Sequence, residues 1–126
     1  MPKLLLVGLG GFFGASLRYL LSGLAHRWFS ASFPSGTLAV NVLGCFIMGI
    51  MVYLAEDRQL LGTETRVLLM VGFLGSFTTF SSFEYETFEM FREGQPWVAA
   101  WNMGLNVLLG ISAVMAGWMS MRLIRF

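Results

Sequence analysis

The chain consists of four long apolar runs separated by short polar segments. Residues 4–24 are uncharged except for Arg18, and residues 37–55, 67–83 and 97–121 contain no charged side chain. A helix of about 20 residues, rising about 1.5 Å per residue, spans the roughly 30 Å hydrocarbon core of a bilayer. The pattern therefore predicts an all-α membrane protein with four transmembrane helices, at residues 4–24, 37–55, 67–89 and 97–121.

The segments between the runs carry turn-forming or charged residues. They cover residues 30–36, 56–59 and 92–96. They leave no room for a catalytic domain outside the bilayer, so we expect residues 1–126 to form a single four-helix transmembrane domain. The first run is too long for a secretory signal and no small-residue cleavage site follows it. We therefore expect it to remain on the mature protein.

The composition agrees with a membrane location. Of 126 residues, 56% are hydrophobic and 12% are charged, against about 25% charged in typical soluble proteins, and the mean hydropathy is +0.72. The net charge of +1 provides no basic surface for nucleic acid. Cys45 and His26 are the only residues of their types, which excludes an internal disulfide, a His-rich metal site and a conventional catalytic triad. Lipid is the expected partner, and enzymatic activity is not expected.

The charges at the ends of the four helices predict the orientation only weakly. With four crossings, one side of the membrane holds the two termini and the second connection, with Lys3, Arg58, Arg66, Arg122 and Arg125. The other side holds Arg27 and Arg92, joined by Arg18 if its side chain reaches that interface. The excess favours cytoplasmic termini, in a single fixed orientation. Because the excess is small, insertion in both orientations remains open, and two opposed copies would form an antiparallel pair.

Polar side chains inside the apolar runs are the first candidates for function, because lipid offers them no hydrogen bonds. Arg18 either reaches the interface or attracts anions at the mouth of a pathway. Asn41 lies in the second run, and Asn102 and Asn106 share a face of the fourth. These amides either join helices or offer neutral donors to an anion along a hydrated path.

The third run has an unusual composition for a transmembrane helix. Residues 72–83 include two glycines and five serines or threonines, which favour helix poorly. We expect a break in mid-membrane near residues 75–79, where freed carbonyl groups can coordinate a cation. The alternative is a continuous helix whose hydroxyl groups bond back by one turn.

Aromatic and acidic residues follow this segment. Phe80 and Phe83 share a helical face, where they either pack against other helices or present their positive ring edges to an anion. Glu84, Glu86 and Glu89 are typical of a solvated interfacial face, although Glu86 is close enough to the hydroxyl groups to join a pathway.

The glycines near the amino terminus favour close helix packing. Gly10 and Gly14 form a GxxxG face. The surrounding run superficially resembles a dinucleotide-binding loop, but no alternation of strands and helices accompanies it. Four short helices enclose little space, so we expect an oligomer.

In combination, these motifs resemble the small bacterial fluoride channels of the Fluc type. The resemblance rests on three motifs in this order and spacing: Gly10-Gly11-x-x-Gly14-Ala15-x-x-Arg18-Tyr19, Pro34-x-Gly36-Thr37-Leu38-x-x-Asn41-x-x-Gly44, and Gly72-Phe73-x-Gly75-Ser76-Phe77-Thr78-Thr79-Phe80-Ser81-Ser82-Phe83. Together they extend over much of the chain.

The resemblance implies a multi-pass protein of the bacterial inner membrane that exports fluoride passively and protects against fluoride toxicity. It implies an antiparallel, dual-topology homodimer with two pores and a structural sodium ion at its centre, held by backbone carbonyl groups that look like those of Gly75 and Thr78. The implied fluoride pathway comprises Phe80, Phe83, Asn41, Thr37, Thr79, Ser81, Ser82 and Glu86, with Arg18 at a vestibule. The pathway also includes Asn102 and Asn106 on the fourth helix. This helix departs from the hydroxyl track of some members, because Ser112 and Ser120 are its only hydroxyl residues.

Two other functions fit a chain of this size. A small four-helix multidrug exporter requires a membrane-embedded carboxylate that protons and a cationic substrate compete for, whereas the first run carries Arg18 instead. A non-conducting assembly subunit would use the glycines and phenylalanines only for packing.

Overall fold

The computed structural model describes residues 2–29 and 32–124. Arg125 and residues 30–31 of the first connection lie outside these ranges. The regular structure within them is entirely helical, as predicted. The α-helices are α1 (Lys3–Trp28), α2 (Ser35–Val52), α3 (Thr63–Arg66), α4 (Gly75–Phe77), α5 (Phe80–Arg92) and α6 (Pro96–Leu123), and π-helical stretches cover Tyr53–Asp57 and Val67–Leu74.

These elements join into four helical spans that are long and apolar enough to cross a membrane, which confirms the predicted number. The spans are Lys3–Trp28, Ser35–Asp57, Thr63–Arg92 and Pro96–Leu123. Each begins before the predicted helix and ends after it. The predicted bounds follow the apolar runs, whereas helical hydrogen bonding continues through the polar residues that flank them.

Small residues bring the spans together. The helix α2 packs along α6, and α1 packs against both α4 and the stretch Val67–Leu74. Gly49 and Gly117 lie where the backbones of α2 and α6 are too close for a side chain. The predicted GxxxG face is used in the same way, because a Cβ atom on Gly10 or Gly14 would collide with the backbone of Phe73. Lipid provides no hydrophobic drive between helices, so such close contacts contribute much of the packing energy.

Large apolar side chains cover the outside of the bundle. Phe12, Tyr19, Trp101 and Leu108 are each more than 60% exposed. In water this surface would promote association, whereas in a bilayer it contacts acyl chains or another subunit. The exterior therefore suits a membrane-embedded chain.

Polar contacts join the spans near the second connection. The Trp118 indole N–H donates to Asp57 Oδ2 over 2.6 Å, and Arg66 forms an ion pair with Glu56 over 2.7 Å. These contacts link the end of the second span to the third and fourth.

The third span is interrupted between Phe77 and Phe80. Thr78 and Thr79 have extended backbones, with φ/ψ of −84°/156° and −146°/119°. The Thr79 hydroxyl then accepts the Ser82 backbone N–H over 3.2 Å and caps α5. The two threonines thus end one helix and begin the next, which places an extended backbone segment inside the bundle.

Candidate functional site

Asn41 pairs with the extended backbone of Thr79. Its Oδ1 accepts the Thr79 N–H over 2.8 Å, and its Nδ2 donates to the Thr79 carbonyl over 3.1 Å. In an extended residue the N–H and C=O groups point the same way, so one carboxamide satisfies both, as a neighbouring β-strand would. Thr79 is only 8% exposed, and Asn41 therefore gives its backbone N–H the acceptor that the interruption removes.

The hydrogen bonding continues from Asn41 into the fourth span. Asn41 Nδ2 also donates to Asn106 Oδ1 over 3.0 Å. Asn106 Nδ2 donates to the backbone carbonyl of Asn102 over 3.0 Å and to its Oδ1 over 3.1 Å. Asn102 Nδ2 donates to the Thr87 hydroxyl over 2.9 Å, and that hydroxyl donates to the Phe83 carbonyl over 2.8 Å. We call the side chains of Asn41, Asn106, Asn102 and Thr87 the amide chain.

A polar groove opens on the other side of Thr79. It has a volume of about 740 Å³ and lies between α1, α2 and α5. Its charged and hydroxyl-bearing lining comprises Arg18, Tyr19, Ser22, Arg27, Thr37, Thr79, Ser82 and Glu86, with His26 beside them. The groove therefore brings these polar side chains together on a bundle whose exterior is mostly apolar, and Thr79 of the interruption belongs to its lining.

Thr37 and Glu86 close one wall of this groove. The Thr37 hydroxyl donates to Glu86 Oε1 over 2.5 Å. Glu86 Oε2 is buried and accepts no hydrogen bond from the described residues. Arg18 and Arg27 on α1 line the same groove, so both signs of charge border it.

The two predicted pore phenylalanines form an edge-to-face pair. Their ring centroids are 5.6 Å apart and their planes are inclined by 66°. Phe83 is buried, whereas Phe80 is 73% exposed. One ring is therefore fixed by the bundle, and the other faces outward.

The interruption changes the hydrogen bonding of the preceding carbonyl groups. In a continuous helix the Thr79 N–H would donate to the Gly75 carbonyl, but here it donates to Asn41. Gly75 lies at the surface of the chain. No group of three or more His, Cys, Asp or Glu side chains suited to a metal ion occurs in residues 2–29 and 32–124.

The structure distributes the predicted site residues over three places. Arg18, Thr37, Thr79, Ser82 and Glu86 meet in the groove, and Asn41 and Asn106 lie behind Thr79. Asn102 is fully buried in the bundle. Gly75, Phe80 and Ser81 lie at the surface, and Thr78 is partly exposed.

Thr87 has a structural role that sequence reasoning missed. It is 3% exposed and joins Asn102 to the Phe83 backbone. The available signal was a hydroxyl residue one helical turn after Phe83, but nothing in the sequence indicated its partner across the bundle.

Comparisons with known proteins show which family the chain belongs to. The family model described as CrcB-like protein, Camphor Resistance (CrcB), matches residues 5–118. A protein of Methanosarcina acetivorans named fluoride-specific ion channel FluC 1 is 45% identical over 95% of this chain and 91% of its own length. A protein of Maridesulfovibrio salexigens named fluoride-specific ion channel FluC is 40% identical over 98% of both chains. A protein of the same name from Hydrogenovibrio crunogenus is 42% identical over 91% of this chain and 87% of its own length. The match extends over nearly the whole chain and confirms the resemblance seen in its motifs, and this protein therefore belongs to the CrcB family.

Proposed function

We propose that this protein is a fluoride-selective channel of the cytoplasmic membrane that lets fluoride leave the cell passively and so limits its toxicity. The observation that carries the proposal is the match, over nearly the whole chain, to proteins named fluoride-specific ion channels. The groove that reaches the interrupted span supports it, because the groove brings polar side chains together on a bundle whose exterior is mostly apolar.

The chemistry of the groove suits a small, strongly hydrated anion. A pore must replace the water around fluoride with many weak donors, since a single strong site would hold the ion too tightly to release it. Arg18 attracts anions at the groove, and Thr37, Thr79 and Ser82 supply hydroxyl groups along it. We place Ser81, Asn41 and Asn106 further along the same path, with Asn102 behind them.

Phe80 and Phe83 complete the path in this proposal. The positive edge of an aromatic ring is a weak partner for an anion. The pair is rigid on one side because Phe83 is buried, and Phe80 is turned outward, where a second copy of the chain can meet it. Glu86, held by Thr37, lies toward one end of the path.

We further propose that two copies associate in opposite orientations. A single copy leaves the groove open along one side and exposes Phe80. Among the described residues, Lys3, Arg58, Arg66 and Arg122 are on one side, and Arg27 and Arg92 are on the other, joined by Arg18 if its side chain reaches that interface. Such a weak bias permits insertion in both directions. The antiparallel dimer would provide two pores and place both interruptions in mid-membrane.

A structural sodium ion at the centre of this dimer is the final element of the proposal. The carbonyl groups of Gly75 and Thr78 would hold it, because the interruption leaves the Gly75 carbonyl without the Thr79 N–H. Carbonyl oxygen atoms freed at an interrupted helix suit sodium, which prefers oxygen ligands. The ion would also provide a positive field near the two pores without contacting fluoride.

Flux from liposomes tests the function directly. Purified protein reconstituted into vesicles loaded with potassium fluoride should release fluoride when a potassium ionophore balances the charge, and should release little chloride from matched vesicles. Equal fluxes of the two anions would refute selectivity, and the absence of flux would refute a channel. Uptake of a cationic dye driven by a proton gradient would instead identify an exporter.

A further inference from the structure

The amide chain has a fixed hydrogen-bond direction. Backbone polarity is not adjustable, so the Thr79 N–H requires Asn41 Oδ1 as its acceptor and the Thr79 carbonyl requires Asn41 Nδ2 as its donor. The second Asn41 N–H must then find an acceptor, which orients Asn106 Oδ1 toward it. Each later carboxamide is oriented by the one before, as far as the Thr87 hydroxyl and the Phe83 carbonyl.

Both N–H donors of Asn41 are used within the bundle. A carboxamide has two N–H bonds, and Asn41 uses one for the Thr79 carbonyl and the other for Asn106 Oδ1. The bond to Thr79 belongs to a cyclic pair of hydrogen bonds, so breaking it would also misalign the Thr79 N–H. The bond to Asn106 is single, and it is the one that an incoming acceptor can replace at lower cost.

We propose that Asn106 Oδ1 is a displaceable placeholder for fluoride on Asn41, and that Asn102 and Thr87 are positioning residues that determine how strongly it competes. This inference rests on the proposed channel function. Fluoride replaces the neutral amide oxygen because hydrogen bonds to a charged acceptor are roughly twice as strong. Once fluoride leaves, Asn106 returns to the N–H, so no unpaired donor retains the ion.

The anchoring of Asn106 makes this competition effective. Its Nδ2 donates to two oxygen atoms of Asn102, and Asn102 is fully buried and donates to Thr87, which is 3% exposed. Side chains held in this way lose little entropy when they rebind. The placeholder thereby weakens fluoride binding at Asn41 and favours release.

The test measures two quantities for each variant in liposomes: the fluoride concentration that gives half-maximal flux, and the maximal flux. Asn106→Leu removes the competing acceptor at similar volume. It should lower the half-saturating concentration by about tenfold, the effect of losing one hydrogen bond, and should also lower the maximal flux because release slows. Ser112→Leu, on an exposed position of the same helix, should change neither. A lower maximal flux with an unchanged half-saturating concentration would assign Asn106 to packing and overturn the inference.

Thr87 provides a milder second test if Asn106→Leu folds poorly. Thr87→Val retains the shape and removes the hydroxyl, and it should lower the half-saturating concentration by about threefold, whereas Thr87→Ser should restore the wild-type value. In the Asn106→Leu background, Thr87→Val should have no further effect on this concentration, because its influence passes through Asn106.

The outcomes separate this inference from the function on which it rests. An additive effect of Thr87→Val in the Asn106→Leu background would overturn the positioning role while leaving the channel intact. A wild-type protein without fluoride flux would refute the proposed function itself.

Discussion

Asn41→Leu should destabilise the bundle because it removes the partner of an extended backbone residue. The substitution eliminates three hydrogen bonds, of 2.8, 3.1 and 3.0 Å, and Leu has a similar volume. The N–H and the carbonyl of Thr79 then lose their hydrogen bonds to the Asn41 carboxamide. At 8% exposure, Thr79 has little access to solvent.

The magnitude follows mainly from the Thr79 N–H. The Thr79 carbonyl stands at the N-cap of α5 and still accepts the first hydrogen bond of that helix, whereas the N–H loses its acceptor. One buried group that loses its hydrogen bond costs about 1–3 kcal/mol, and we expect about 2 kcal/mol here.

The free energy of unfolding in mixed micelles measures this loss. Purified variants are titrated with a denaturing detergent, and the fluorescence of the four tryptophans reports the transition. Ser112→Leu is the matched control, since it also replaces a polar residue with Leu but at an exposed position. If Asn41→Leu unfolded within about 0.5 kcal/mol of the wild type, the pairing of Asn41 with Thr79 would not stabilise the interruption.

Three further predictions concern the rings, the proposed cation and the helix contacts. Phe80→Ile and Phe83→Ile should each reduce fluoride flux by roughly tenfold or more, equivalent to about 1.4 kcal/mol of barrier. Size-exclusion chromatography should still show the dimer. Unchanged flux would mean that the rings only pack against other helices. Replacing sodium with a bulky organic cation on both sides of the membrane should reduce flux or dissociate the dimer, and indifference to sodium would contradict a site at Gly75. Gly117→Ala should cost about 1–3 kcal/mol in the same unfolding titration, because its Cβ would collide with the Phe46 backbone. Gly104→Ala, with open space around it, should be neutral or mildly stabilising. Equal effects of the two substitutions would argue against close packing of α2 and α6.

The four spans could be read from the sequence because the bilayer imposes one simple rule. Every backbone polar group in the hydrocarbon core must be satisfied internally, so a long uncharged run in a membrane chain is helical. Residues 37–55 and 97–121 needed no tertiary information to be recognised. Their exact ends did need it, because the ends depend on where hydrogen bonding stops in the polar segments.

The candidate site was only partly predictable. The glycines and hydroxyl residues of 72–83 indicated a weak helix, because their propensities are local properties of the chain. The amide of Asn41 was a recognisable candidate because lipid cannot form hydrogen bonds with it. Its pairing with Thr79, 38 positions away, was not predictable, since several polar groups in the third and fourth spans were equally plausible partners.

The sequence by itself determined the membrane class, the four helices and the family, because hydropathy and motif spacing are properties of the chain alone. Only the tertiary structure decided which polar groups satisfy one another. Asn102 and Asn106 are one helical turn apart and look equivalent in the sequence, yet the fold buries Asn102 against Thr87 and directs Asn106 toward Asn41. The physical reason is that a buried hydrogen bond depends on distances and angles set by helices packed from distant parts of the chain.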